Sequence, residues 1–278
     1  MLVGAVSLLL ALAWTPAASS AISVKSDLSY IADGTWQHRL DLYLPAHAQG
    51  APVVIFVHGG AFQEGDKNDY ASVGRGLARE GLVSVVVSYR LYPDADAQGS
   101  ISDVARALAW TIAHANDYGI DTRNVFLVGH STGAQIVTAL ATNQRFLKDA
   151  GVAPSAVRGV LALSGPYDVR DISDESDYWR GFDSHVYGDT VERRAEISAT
   201  ANAAQAAIPI DAACGTREDP YSCKQAATLV DALHAANHAA SSFVERGADH
   251  MGMVRDLTAP NDPLNSELLR FIQAEGDW

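Results

Sequence analysis

The run Val125-Phe126-Leu127-Val128-Gly129-His130-Ser131-Thr132-Gly133-Ala134 constrains this chain more than any other, because a short apolar, β-rich segment enters it and a small-residue helical segment leaves it. Between the two, Gly129-His130-Ser131-Thr132-Gly133 has the Gly-x-Ser-x-Gly spacing of a nucleophile elbow, a strand-to-helix turn sharp enough to hold its serine in a strained backbone conformation. Glycines two residues to either side of Ser131 keep side chains out of the place where strand and helix converge, and the helix that follows aims the positive end of its dipole at the hydroxyl. Five positions with three specified also recur by chance as plain glycine turns. Here the strand predicted over 124–129 and the helix predicted from Ser131 to about Lys148 supply the context the motif requires.

The alternation of strand and helix extends along the chain. Val53-Val54-Ile55-Phe56-Val57 is a continuous apolar run of the kind buried on both faces of a parallel sheet, and 82–88 is a second. Further strands are predicted over 157–164, 208–214 and 241–246, with helices over 69–80, 224–237 and 264–273. Another helix carries Ile101, Val104, Ala105, Leu108 and Ile112 at helical spacing and closes toward Gly119, where a left-handed cap is expected. Segments 22–31 and 37–44 alternate in strand period and read as an antiparallel hairpin at a sheet edge. The fold class is therefore α/β, with a mainly parallel central sheet and helices on both faces. Segment 166–207 interrupts this rhythm with Tyr167, Tyr178, Trp179, Phe182 and Tyr187. It is a candidate lid over a bound acyl or aryl group, or an insert whose aromatics pack onto the domain.

A serine nucleophile needs a general base, and the base needs a carboxylate that fixes its tautomer and stabilises the imidazolium. After an elbow the order is serine, acid, histidine. Of His185, His234, His238 and His250, only His250 follows a late strand in a loop, Gly247-Ala248-Asp249-His250-Met251-Gly252, and it is the candidate base. His234 and His238 stand four apart on a predicted helix with no third ligand after them, so no metal is expected. The loop after strand 208–214 reads Gly215-Thr216-Arg217-Glu218-Asp219-Pro220, with two adjacent carboxylates. Asp219 is favoured as the acid because Asp-Pro suits a turn start; Glu218 is the alternative, and Asp211 and Asp249 are lesser candidates. For the oxyanion, the glycine pair in His58-Gly59-Gly60-Ala61-Phe62 frees backbone donors, and the expected hole is Gly60, Ala61 and Thr132, with His58 bracing the loop.

Composition adds limits. At 278 residues, 48% hydrophobic and 19% charged, the chain has the make-up of a globular protein with a sizeable core, and residues 21–278 are read as a single domain. A net charge of −13 with no basic stripe excludes a nucleic-acid partner. Residues 1–20 carry no charged side chain, and an apolar block from Leu2 to Trp14 ends at Pro16 and small residues, as in a secretory signal peptide; no stable membrane span is expected. Cys214 and Cys223, the only cysteines, flank the acid loop of a chain expected to be secreted or periplasmic, so they are expected to pair.

With these residues in view, the chain resembles the α/β-hydrolase superfamily, and within it the small esterases and kynurenine formamidase-like enzymes with a His-Gly-Gly-x-Trp loop. The likeness rests on His58-Gly59-Gly60-Ala61-Phe62 with Gly65-Asp66-Lys67, then Tyr89-Arg90-Leu91, then Gly129 to Gly133, then Ser164-Gly165-Pro166-Tyr167-Asp168. Phe62 stands where the family often has Trp, and Thr132 where it often has Ala. The resemblance implies an eight-stranded core sheet with an insert after the sixth strand, a Ser-acid-His mechanism and no cofactor. Together with the signal-like start, it leads to the expectation of a secreted serine hydrolase of small acyl or aryl esters. An arylformamidase is the alternative within the fold, and a non-catalytic binding module is the alternative of another class.

Overall fold

The computed structural model describes residues 21–172 and 184–276. The expected signal segment 1–20, and Tyr178, Trp179 and Phe182 of the candidate lid, lie outside the described residues. Strands run β1 Ser23–Ser29, β2 Arg39–Leu44, β3 Val53–Val57, β4 Val83–Val87, β5 Val125–His130, β6 Gly159–Leu163, β7 Ile210–Gly215 and β8 Ala240–Glu245. Helices are α1 Ala71–Arg79, α2 Ala97–Ala113, α3 Thr132–Thr142, α4 Arg145–Asp149, α5 Ser184–Tyr187, α6 Val191–Glu196, α7 Pro220–Ala235, α8 Gly252–Asp256 and α9 Pro263–Glu275.

The strands form one eight-stranded sheet in the order β1-β2-β4-β3-β5-β6-β7-β8. The expected hairpin is present, β1 pairing antiparallel with β2 and β2 antiparallel with β4, while every pairing from β4 through β8 is parallel. Parallel strands joined by helices bring their C-terminal ends to one edge of the sheet, where ligands bind in open α/β folds. The loops after β3, β5, β7 and β8 all emerge there.

The central strands are apolar throughout because both their faces are covered. Val53, Ile55 and Val57 of β3 join a cluster with α2, α3 and α7 residues such as Ile101, Leu108, Val137 and Leu229. Val54 and Phe56 point the other way, into a cluster with Val73 and Leu77 of α1 and Leu268 and Phe271 of α9. All five β3 side chains are fully buried, each contributing about 1.5–3 kcal/mol of apolar burial. Helix α3, which follows Ser131, is buried on every side; Thr138 and Thr142 satisfy their hydroxyls on the Ala134 and Thr138 carbonyls at 2.9 and 2.8 Å.

Two expectations need correction. The helix predicted from Ser131 to about Lys148 is two helices, because Asn143 is extended (φ −120°, ψ 91°) and breaks the run between α3 and α4. Gly119 does take the left-handed conformation (φ 68°), but it caps a 3-10 turn at Ala115–Tyr118 that follows α2. Two of the candidate lid's aromatics, Tyr167 and Tyr187, are core residues, and Tyr187 meets the Phe62 ring edge-on at 5.4 Å. No helix among the described residues is long and apolar enough to cross a membrane.

Candidate active site

Ser131 sits between β5 and α3 with φ 56° and ψ −123°, a conformation an L-residue adopts only under constraint. The flanking glycines show what imposes it. A Cβ on Gly129 would lie 2.2 Å from the Gly133 carbonyl oxygen, and one on Gly133 would lie 2.1 Å from the Val57 carbonyl oxygen of β3. Strand, helix and neighbouring strand are thus in backbone contact, and only glycine fits at either position. The Ser131 N–H donates to the Leu163 carbonyl at 2.8 Å, which ties the turn to β6.

The loop after β3 lies against Ser131. A Cβ on Gly59 would stand 2.7 Å from the Ser131 Cβ, and Gly60, Ala61 and Phe62 all have positive φ (121°, 53° and 59°). His58 holds this turn from behind. Its fully buried ring stacks between Tyr89 (4.4 Å) and Tyr70 (5.7 Å), and its Nδ1 donates to the Gly59 carbonyl at 2.7 Å. With that carbonyl held back, the Gly60 N–H on the opposite side of the same peptide plane faces the other way, as an oxyanion donor must. Tyr89 donates its hydroxyl to the His58 carbonyl at 2.8 Å, and Arg90 clasps the buried Asp103 with bonds of 2.8 and 2.9 Å. Lys67 inserts between Asp27 (2.8 Å) and Asp41 (3.0 Å), anchoring the far end of the loop to the sheet edge. The Gly65-Asp66-Lys67 and Tyr89-Arg90-Leu91 motifs therefore serve as supports.

The loops that carry Glu218 and His250 are laced together. Thr216 N–H donates to the Glu245 carbonyl and Arg217 N–H to the Ala248 carbonyl, both at 2.9 Å, and Gly247 N–H donates to Thr216 Oγ1 at 2.8 Å. Gly215 passes so close that a Cβ there would sit 2.3 Å from the Ala248 carbonyl oxygen. This lacing sets Glu218 Oε1 3.7 Å from His250 Nδ1, within ion-pair reach. Hydrogen bonds of this kind often close only once substrate is bound. The Glu218 side chain is 1% exposed and that of His250 45%.

Asp219, the acid favoured from sequence, makes no ion pair with His250, which faces Glu218. It is the N-cap of α7, its Oδ1 accepting the Tyr221 N–H at 2.8 Å, with Pro220 opening the helix. The lesser candidates are committed elsewhere: Asp211 accepts from the Ser241 N–H and Asp249 from the Gly252 N–H, at 2.8 and 2.7 Å. Cys214 and Cys223 are bonded, as expected, with Cα atoms 5.2 Å apart. The bridge ties the end of β7 to the first turn of α7 and encloses both carboxylates; closing a loop of this length stabilises by roughly 2–3 kcal/mol in the chain-entropy account. Among the described residues no group of three or more His, Cys, Asp or Glu is placed to hold a metal ion, and His234 Nε2 instead donates to the Ala240 carbonyl at 2.9 Å.

Two polar residues at the site were not singled out from sequence. His130 Nε2 donates to the His250 carbonyl at 2.9 Å and its ring lies 4.5 Å from the His250 ring, so the residue before Ser131 grips the loop that carries His250. Ser164 Oγ donates to Glu218 Oε1 at 2.5 Å. Burial, with the charge of His250 second, pushes His130 down to about 3, and burial lowers His58 as well. His130 is thus neutral in the folded protein. Above about pH 6.5 an unfolded chain is also neutral at this position, and it carries no pH dependence. Below it the unfolded state takes up a proton that the native state refuses, so stability falls with pH by roughly 1.4 kcal/mol per unit from His130, and the buried His58 acts in the same direction. Urea unfolding at pH 7.5, 6.5 and 5.5 is expected to show this loss. His130→Gln, which keeps a donor but cannot titrate, should flatten the slope by one histidine's share, and an unchanged slope would refute the neutral assignment.

The BD-FAE family model matches residues 40–214, from β2 to the end of β7, so Glu218 and His250 lie beyond it and are placed by the geometry above. Isoprenylcysteine alpha-carbonyl methylesterase of Arabidopsis thaliana is 27% identical over 86% of this chain, which spans 60% of that protein's length. Kynurenine formamidase of Danio rerio is 23% identical over 93% of this chain and 92% of its own. Among solved structures, esterase B of Lactobacillus rhamnosus superposes with a TM-score of 0.79 at 22% identity, covering 91% of this chain and 85% of the other, which places the architecture in the α/β-hydrolase fold. Sheet topology, elbow geometry and the match over most of the described chain lead to one assignment: the chain belongs to the BD-FAE family.

Proposed function

We propose that this protein is a secreted serine hydrolase that cleaves small acyl or aryl carboxylic esters through an acyl-enzyme. The observation that carries the reading is the Glu218–His250 pair, brought by β7 and β8 to the same sheet edge as the strained Ser131. Ser131 Oγ attacks the ester carbonyl carbon while His250 Nε2 takes its proton, which then passes to the departing alkoxide. Glu218 faces Nδ1 and stabilises the imidazolium formed in that step. The N–H groups of Gly60, Ala61 and Thr132 receive the developing oxyanion, a contribution of about 3 kcal/mol for a well-aimed donor. Water activated by the same histidine then releases the acid. Next to the oxyanion loop lies a cleft of about 620 Å³ lined by Gly59, Gly60, Tyr70, Val73, Met251 and Val254. Its size and mixed lining suit one small group of an ester. Secretion rests on the signal-like residues 1–20.

A second reading has its own support: the formamidase relative matches over nearly the whole of both chains, whereas the methylesterase is much longer than this one. The two readings separate in a substrate panel assayed with the secreted protein. The panel comprises p-nitrophenyl esters of graded acyl length, acetylated and feruloylated sugars, an S-prenylcysteine methyl ester and N-formylkynurenine. Fast turnover of short-chain or aryl esters, with N-formylkynurenine at least tenfold poorer in kcat/KM, is the expected pattern. That margin corresponds to about 1.4 kcal/mol of transition-state discrimination. The reverse order assigns the protein to amide hydrolysis.

A further inference from the structure

Glu218 is a buried carboxylate with an unequal set of neighbours. Its Oε1 accepts from Ser164 Oγ at 2.5 Å and faces His250 Nδ1 at 3.7 Å, while its Oε2 is buried with no hydrogen-bond partner among the described residues. Ser164 lies 54 positions before the acid and in a different loop, the one leaving β6. A buried carboxylate with few donors is costly as an anion, so the single hydroxyl bonded to it has a large say in where it sits and how much charge it presents.

The backbone at Ser164 is built to aim that hydroxyl. Ser164 has φ 56°, in the left-handed region that favours glycine, and its N–H donates to the Ala213 carbonyl at 2.8 Å, carrying the β6–β7 ladder one step past the strand. The turn is braced by Tyr167, a fully buried phenol whose Oη donates to the Ala162 carbonyl at 3.0 Å and accepts the Gly165 N–H at 3.1 Å. Gly165 is wedged as well: a Cβ there would meet both the Ala134 Cβ and the Tyr167 ring at 2.7 Å. A serine in the left-handed region at the end of a strand is worse for the backbone than glycine, so the side chain must supply what offsets it.

We propose that Ser164 is a positioning residue for the catalytic triad: its hydroxyl holds Glu218 Oε1 in front of His250 Nδ1 and shares the carboxylate's negative charge with the imidazole. This rests on the reading of Glu218 as the triad acid. The Ser164-Gly165-Pro166-Tyr167 run is then a second elbow, built one strand over from the first, presenting a hydroxyl to the acid as Gly129 to Gly133 presents one to the substrate.

The strain makes the test clean, since glycine removes the hydroxyl and relaxes the backbone together. In Ser164→Gly the relaxed backbone and the lost hydrogen bond offset each other, so Tm should stay within a few degrees of the parent, while kcat falls about 10- to 100-fold, the range for one hydrogen bond to a charged group, with KM nearly unchanged. The acid limb of kcat/KM should move to higher pH, because an imidazolium facing a carboxylate that no longer shares its charge with a hydroxyl holds its proton longer. Among the groups facing this pair are the neutral His130 beside His250 and the protonated Tyr167 phenol near Glu218. Neither charge changes in the variant. Ser164→Ala keeps the Cβ and should show the same kinetic loss. Parent kcat and an unmoved acid limb in Ser164→Gly overturn the proposal, as does a loss of kcat accompanied only by a lower Tm. Glu218→Gln, run alongside, separates the two levels: if it retains the parent rate, the acid reading itself is wrong, whereas a crippled Glu218→Gln with an unaffected Ser164→Gly removes only the role of Ser164.

Discussion

Ser131→Ala is expected to lower turnover of any ester substrate about 10⁶-fold and to abolish labelling by an alkyl phosphonate, with the melting temperature nearly unchanged. The kinetic size follows from triad members acting as a unit: once the nucleophile is gone, the base and acid have nothing to activate. His250→Ala should therefore cost about as much, and the double variant little more than either single one. The small effect on stability follows from the elbow. Alanine keeps the Cβ, so the strain of φ 56° and the close packing of Gly59 on the Ser131 Cβ are the same in both proteins. Phosphonate labelling retained by Ser131→Ala would move the nucleophile elsewhere.

The legible parts of this molecule were those whose physics is local. A five-residue, mostly β-branched apolar run such as β3, bounded by Pro52 and the glycines after His58, reads as a strand buried on both faces, and alternating such runs with helical spacing yields the parallel sheet. The elbow was legible because its glycines answer steric contacts that any such turn produces; Gly129 meets Gly133, four residues away. The break at Asn143 was not, because the small and apolar residues that follow the nucleophile favour helix, and nothing in their pattern says where tertiary packing ends it. His130 and Ser164 were missed for a different reason. Their partners lie 120 and 54 residues away in other loops, and only the order of strands in the sheet brings those loops together.

The choice between the two adjacent carboxylates sets a local reading of the sequence against the placement of the side chains. Asp-Pro was read as a turn start, and it is one, since Asp219 caps α7 and Pro220 opens it. That duty occupies the carboxylate with the Tyr221 N–H at 2.8 Å and leaves Glu218, one residue earlier and inside the turn, to face His250. Glu218→Gln is therefore expected to lower kcat about 10³- to 10⁴-fold with the fold intact, because an amide neither stabilises the imidazolium nor enforces the tautomer with the proton on Nδ1. Asp219→Asn should be almost silent, as asparagine caps a helix about as well as aspartate, while Asp219→Ala should cost about 1 kcal/mol of stability with kcat within a few-fold of the parent. Steady-state kinetics and urea unfolding on the three variants read out both halves. A large kinetic loss in Asp219→Asn with a small one in Glu218→Gln would return the acid role to Asp219 and require the acid loop to rearrange on binding substrate. Two small losses would mean that His250 works without an orienting carboxylate.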